Sequence, residues 1–166
     1  MLQHPIPPVF DEHSRVLILG SFPSVKSREA QFFYGHPQNR FWRVLSALFG
    51  EAAGETPAQK TAFLLRHHIA LWDVIAACEI EGSADSTIQN AAPTDLSVIF
   101  RKGQITHVFT NGKTADRLYR RYQLPQTGIE AVCLPSTSPA NAQWSVARLC
   151  EVWRAVAAAA DEKASL

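Results

Sequence analysis

The chain has 166 residues, of which 46% are hydrophobic and 19% charged, with a formal net charge of +1. That is enough apolar material for a full core, which excludes a disordered or fibrous chain, and the near-neutral balance excludes a protein that grips nucleic acid chiefly by bulk positive charge. Residues 1–13 hold prolines and charges but no stretch of signal-peptide length, and no segment approaches a membrane span. One domain over 1–166, soluble and cytoplasmic, with no membrane partner, is expected.

The first element is the apolar run at 15–19, which breaks into Gly20-Ser21-Phe22-Pro23-Ser24 and predicts a buried strand ending in a tight turn. Residues 31–42 then read Gln-Phe-Phe-Tyr-Gly-His-Pro-Gln-Asn-Arg-Phe-Trp. Flat rings beside Asn39 suit a pocket that stacks on and reads a planar heterocycle. Phe41, Val44, Leu45, Leu48 and Phe49 recur at helical spacing before Gly50, so a core-facing helix is expected there. Thr56 and Pro57 supply an N-cap and a first helical position for a second helix.

The run at 69–75, interrupted only by Asp73, predicts a second buried strand, and 79–93 has the Gly, Ser, Asp and Asn content of a long loop. A short helix over 94–102, a strand over 105–110, a helix over 112–122 and a strand over 129–134 follow. Ser138 and Pro139 are expected to cap a last helix with the stripe Val146, Leu149, Cys150, Trp153 and Val156, the alanine-rich 155–160 forming its final turns. Strands alternating with helices predict an α/β fold: a three-layer α/β/α sandwich around a parallel sheet, with right-handed crossovers. Loops at the C-terminal strand edge of such a sheet are where ligands sit.

Other features are weaker. Cys78, Cys133 and Cys150 lie too far apart in sequence for a disulfide framework or a zinc or iron–sulfur spacing, and are expected to be buried thiols. Lys26 and Arg28, Arg40 and Arg43, and Lys113, Arg117, Arg120 and Arg121 could build a basic face, or be solvated helix surface. Gly112-Lys113-Thr114 resembles the end of a phosphate-binding loop, but His107 stands where the first glycine is required. His67 and His68 lack partners at metal-site spacing.

Two separated motifs carry more information: Gly20-Ser21-Phe22-Pro23-Ser24 leading to His36-Pro37-Gln38-Asn39-Arg40-Phe41-Trp42, and Leu134-Pro135-Ser136-Thr137-Ser138-Pro139-Ala140-Asn141. Their order, spacing and placement after the first and fourth strands resemble the uracil-DNA glycosylase superfamily, and within it the hypoxanthine (deoxyinosine) DNA glycosylase branch. The resemblance implies a four-stranded parallel sheet and spans nearly the whole chain. It also implies base-excision repair by a metal-free, monofunctional enzyme that needs no cofactor, acting as a monomer on double-stranded DNA with a deaminated base, most probably hypoxanthine.

Two departures from the wider superfamily bear on mechanism. Phe22 stands where the uracil enzymes place an Asp or Asn to position water, so the resemblance moves the catalytic assignment to Asn39. Ser136 stands where those enzymes carry His or Asn beside the leaving base.

Breaking an N-glycosidic bond builds positive charge on the sugar and negative charge on the base. A carboxamide can accept from a water and donate to a base edge, and a donor aimed at developing charge contributes about 3 to 4 kcal/mol. The base must also be swung out of the duplex and can be received on an aromatic ring. On this reading Gly20, Ser21, Phe22, Tyr34 and Asn111 are base-binding candidates, with Tyr34 as platform and Phe22 as a second wall. His36, Ser136, Ser138, Asn141 and Ala142 are candidates for DNA contact, with 140–143 as a wedge. The alternatives are local: Asn39 as a helix cap, Asn111 as a turn residue, Ser138 as an N-cap. Asp73 is read as bonding loop amides and stays outside the catalytic set. A glycosylase for uracil or thymine in mismatches, and a noncatalytic damage-binding module, are the competing functions.

Overall fold

The computed structural model describes residues 1–162, which run β1 (Leu2–Gln3), β2 (Val16–Gly20), α1 (Val25–Ala30), α2 (Phe41–Phe49), α3 (Pro57–Arg66), β3 (Ile69–Asp73) and β4 (Ile75–Glu79). Then come a 3-10 turn (Asp85–Thr87), β5 (Gln89–Pro93), α4 (Ser97–Lys102), β6 (His107–Asn111), α5 (Lys113–Tyr122), α6 (Leu124–Thr127), β7 (Ala131–Leu134) and α7 (Val146–Ala160). The apolar runs make a parallel four-stranded sheet in the order β3-β2-β6-β7.

Alternation along β2 shows why its run is continuous. Val16 and Ile18 pack into one core with Phe41, Leu45, Phe63, Leu149 and Trp153 from α2, α3 and α7. Leu17 and Leu19 pack into another with Ile99, Leu118 and Tyr119 from α4 and α5. Both faces of the strand are therefore dry, as in a sheet covered by helices on each side, and the expected α/β/α layering is present.

The run at 69–75 is not one strand. Val74 N–H donates to the Gly20 carbonyl at 2.8 Å and Ile75 N–H to that of Ser21 at 3.1 Å, while Thr94 N–H reaches back to the Val74 carbonyl at 2.8 Å. The chain turns out of the parallel sheet at Val74 and enters a three-stranded sheet, β1-β4-β5, with antiparallel pairing. The stretch expected to be a loop thus contains β5, whose Gln-Asn-Ala-Ala-Pro has neither alternation nor β-branched residues.

The last helix also begins later than expected. Ser145, not Ser138, is its N-cap, accepting from Arg148 N–H, and 135–145 form a structured loop. Only Cys78 of the three cysteines is buried; Cys133 is exposed on β7 and Cys150 is half-buried. No helix among the described residues is long and apolar enough to cross a membrane.

Candidate active site

Gly20 and Asp73 lie opposite each other at the C-terminal ends of β2 and β3, and Asn111 and Leu134 do the same on β6 and β7. Every parallel strand therefore delivers its last residue to one edge, where the loops at 21–24 and 135–145 begin. Helical residues 39–42 and Tyr34 come to the same place through side-chain hydrogen bonds.

Those bonds form one chain. Asn111 Nδ2 donates to the Tyr34 hydroxyl at 3.2 Å and to Thr137 Oγ1 at 3.0 Å, while its Oδ1 accepts from Thr137 N–H at 3.0 Å. Thr137 Oγ1 in turn donates to Asn39 Oδ1 at 2.9 Å, and that oxygen also accepts from Phe41 N–H at 2.9 Å. Thr137 is fully buried, so the chain is a satisfied interior network of the kind that fixes side-chain orientation.

Asn39 does cap α2, through the bond to Phe41. The cap and the relay together occupy both acceptor positions of its carbonyl oxygen, whereas Asn39 Nδ2 has no protein acceptor and is not sealed from solvent. What Asn39 can offer a ligand is donor hydrogens. Asn111 is in the opposite condition: both its amide hydrogens are spent inside the protein, so it positions Tyr34 and Thr137.

Tyr34 stacks on Phe41 with ring centroids 4.0 Å apart at 20°, so one face of its ring is committed to the core. Its backbone is left-handed at φ 54°, a conformation that non-glycine residues adopt at functional sites when packing over-determines them. Burial, and next the Asp73 carboxylate, hold its hydroxyl far above the usual phenol range, against the opposing pull of the Asn111 bond. It stays protonated at any working pH.

The second loop is held by Arg40. Its guanidinium donates to the carbonyls of Thr137 (3.3 Å), Ser138 (2.9 Å), Asn141 (3.1 Å) and Trp144. Arg40 is therefore not part of a basic face, and Arg28 is likewise spent on the Gly82 carbonyl and the Phe22 ring. Within the loop Ser136 Oγ accepts from Ser138 N–H, Ser138 Oγ accepts from Ala140 N–H, and Asn141 Nδ2 donates to the Ser136 carbonyl. Ala142 lies exposed at the tip with Ala140 and Gln143. Gly112 has φ 97°, and a methyl group there would meet Ser136 Cβ at 3.2 Å, so this glycine lets β6 and the loop pack together.

In the first loop Ser21 Oγ donates to Asp85 Oδ1 at 2.9 Å. Although Asp85 is exposed as a residue, its carboxyl is partly stripped of water against this loop, which pushes its pKa up, while the Ser21 bond opposes the shift. The N–H groups of Ser21 and Phe22 meet no protein acceptor among the described residues. Phe22 is buried, edge-on to His4 at 5.8 Å. His36 bonds only locally, its Nδ1 accepting from Gln38 N–H at 3.1 Å, and its ring makes no bond to the Asn39 side chain.

A methyl group on Gly20 would lie 2.5 Å from Asp73 Oδ1 and 2.9 Å from the Tyr34 hydroxyl. Gly20→Ala is accordingly expected to destabilise the protein by about 1–3 kcal/mol through overpacking and to displace both groups, with loss of base release. Thermal melts and a base-release assay on the variant check this.

Four residues of the site were not assigned from sequence. Asp73, set aside as a loop-binding carboxylate, stands at the strand edge with its Oδ2 on His4. A buried acid in an apolar strand was the available signal, since such a group needs a partner. Thr137 lies inside the second motif but is unremarkable by type. Arg40 and His4 act through folding contacts of large sequence separation, for which the sequence holds no local sign.

This architecture, with its strand-edge carboxamides and two loops, is that of a family. The chain matches the model of the uracil DNA glycosylase superfamily over residues 7–159 and belongs to that superfamily. It is 37% identical over 160 residues to hypoxanthine DNA glycosylase of Methanosarcina acetivorans, covering 94% of this chain and 98% of that protein. It is 35% identical over 145 residues to hypoxanthine DNA glycosylase of Methanosarcina barkeri, covering 85% and 89%. A solution NMR structure from M. acetivorans, provisionally described as a uracil DNA glycosylase, superposes with a TM-score of 0.82 at 35% identity, covering 98% of this chain and all of that one.

Proposed function

We propose that this chain is a DNA N-glycosylase that flips a deaminated base, hypoxanthine above others, out of duplex DNA and hydrolyses its bond to deoxyribose, leaving an abasic site. The observation that carries this reading is the relay Tyr34–Asn111–Thr137–Asn39, which ends in an amide group with free donor hydrogens. The names of the two Methanosarcina relatives support the choice of hypoxanthine.

Asn39 is the catalytic residue. Its carbonyl accepts two hydrogen bonds, which polarises the amide and makes its hydrogens better donors. Directed at the departing base, they stabilise the negative charge that grows there. The free N–H groups of Ser21 and Phe22 are further donors for the same charge, and Gly20 leaves the space in which the base lies. The sugar is electron-poor as its bond breaks, so water attacks it without a strong base. No lysine is bonded into the site as an amine nucleophile, which favours water attack over a Schiff-base route.

The base enters beside Tyr34, whose hydroxyl remains a donor, with Phe22 as the opposing wall. His36 Nε2 and the hydroxyl hydrogens of Ser136 and Ser138 face the DNA backbone as phosphate donors. Asn141 braces the loop that carries Ala142, the residue placed to fill the gap left by the flipped nucleotide.

Duplexes carrying inosine, uracil, xanthine or mismatched thymine, incubated with the protein and then treated with alkali, test this. Cleavage at inosine ahead of the others is expected. Faster cleavage at uracil would move the preference to the mismatch enzymes, and the absence of an abasic product from every duplex would end the enzyme reading.

A further inference from the structure

Asp73 is 4% exposed, yet it is a carboxylate at the end of an apolar strand, and neither the cap nor the relay uses it. Its Oδ2 is 2.7 Å from His4 Nε2. The other ring nitrogen, His4 Nδ1, accepts from Ile6 N–H at 3.1 Å, so it carries no proton. The ring hydrogen must therefore sit on Nε2 and point at Asp73. The main chain of the N-terminal segment thus sets the tautomer of His4, and His4 sets the rotation of the carboxylate.

Asp73 Oδ1 is left without a protein donor and retains access to solvent. It occupies the space over the Cα of Gly20, which it shares with the Tyr34 hydroxyl. That hydroxyl accepts from Asn111, and its own hydrogen has no protein acceptor among the described bonds. An acceptor and a donor therefore stand side by side where a base would rest.

Their pattern fits one chemical edge. Hypoxanthine presents a carbonyl oxygen next to a ring N–H, a lactam, and so do xanthine, uracil and thymine. Adenine and cytosine present an amino group next to a bare ring nitrogen, the reverse order. The hydroxyl of Tyr34 can donate to the lactam oxygen while Asp73 Oδ1 accepts the ring N–H. Adenine would set a lone pair against a carboxylate and an amino group against a hydrogen donor. Guanine shares the lactam edge, but its paired state makes flipping harder than for a mismatched base.

We infer that Asp73, held by His4, is the specificity-determining residue that reads the ring N–H created by deamination, with His4 as its positioning residue. The inference rests on the glycosylase reading above and adds the group that selects the base.

The test uses duplexes containing deoxyinosine and its N1-methyl derivative, in which the ring N–H is replaced by a methyl group. The wild-type protein is expected to release hypoxanthine and to discriminate against the methylated base by at least about tenfold, as sites built around a substrate N–H do. Asp73→Ala opens the space that the methyl needs, so it should release the two bases at rates within about threefold of each other. Asp73→Ser serves if the alanine variant does not fold.

Asp73→Asn keeps shape and melting temperature while raising KM for the inosine duplex at least about tenfold. His4→Ala should raise KM likewise, and His4→Gln, which can still donate to Oδ2, should recover most of it. Unchanged discrimination against the methylated base in Asp73→Ala, or unchanged KM in Asp73→Asn, would overturn the assignment while leaving the glycosylase intact. A wild-type protein inert on inosine would overturn both.

Discussion

Replacing Asn39 by Asp is expected to slow base release about 10²–10³-fold, the loss found when one pre-organised donor is removed from a reacting centre, with thermal stability nearly unchanged. An aspartate keeps an oxygen for Phe41 N–H and for the Thr137 hydroxyl, and a negative charge at a helix N-terminus is tolerated. What it lacks is the amide hydrogens. Asn39→Ala should lose the same rate and, in addition, about 1 kcal/mol of stability with the cap. Single-turnover release from an inosine duplex, set beside melting curves, separates the two contributions. Wild-type rates in Asn39→Asp would mean that the oxygen is the working atom.

The second large effect is expected at Arg40. A guanidinium that donates to several carbonyls of one loop cannot be truncated without leaving those acceptors unpaired, which costs about 3 kcal/mol for a charged donor. For a chain of this size that lowers the melting temperature by about 6–12 °C. Arg40→Lys should recover little, because a point-like ammonium cannot span a fork of acceptors. Base release should fall more than stability alone predicts, since Thr137 belongs to the stapled loop and carries the relay to Asn39. A loop that keeps its rate in Arg40→Lys would show that Asn141 and the serine turns suffice to hold it.

The contrast between Asn39 and Asp73 shows what the sequence could and could not tell. Buried strands were legible because β2, β3 and β6 are apolar on both faces, and α2 because its stripe ends at Gly50. Asn39 was legible because it sits inside a motif of fixed spacing. Asp73 was visible but misjudged: its partner, His4, lies 69 residues away, and only folding shows that the two meet. The small antiparallel sheet was hidden for a local reason, since β5 lacks both alternation and β-branched residues and follows a turn-rich segment. The start of the last helix was misplaced because Ser-Pro at 138–139 has the composition of a cap, while Arg40 holds that segment in loop form.

Two main-chain amides, those of Phe41 and Thr137, can only give hydrogens, never take them. Each faces the oxygen of a carboxamide, and so each dictates which way round that side chain sits. The pattern of positive and negative points lining the cleft is consequently written by the backbone at the moment of folding. An arriving nucleobase finds that pattern already set and has to conform to it, so a misfit is refused without any rearrangement of the protein.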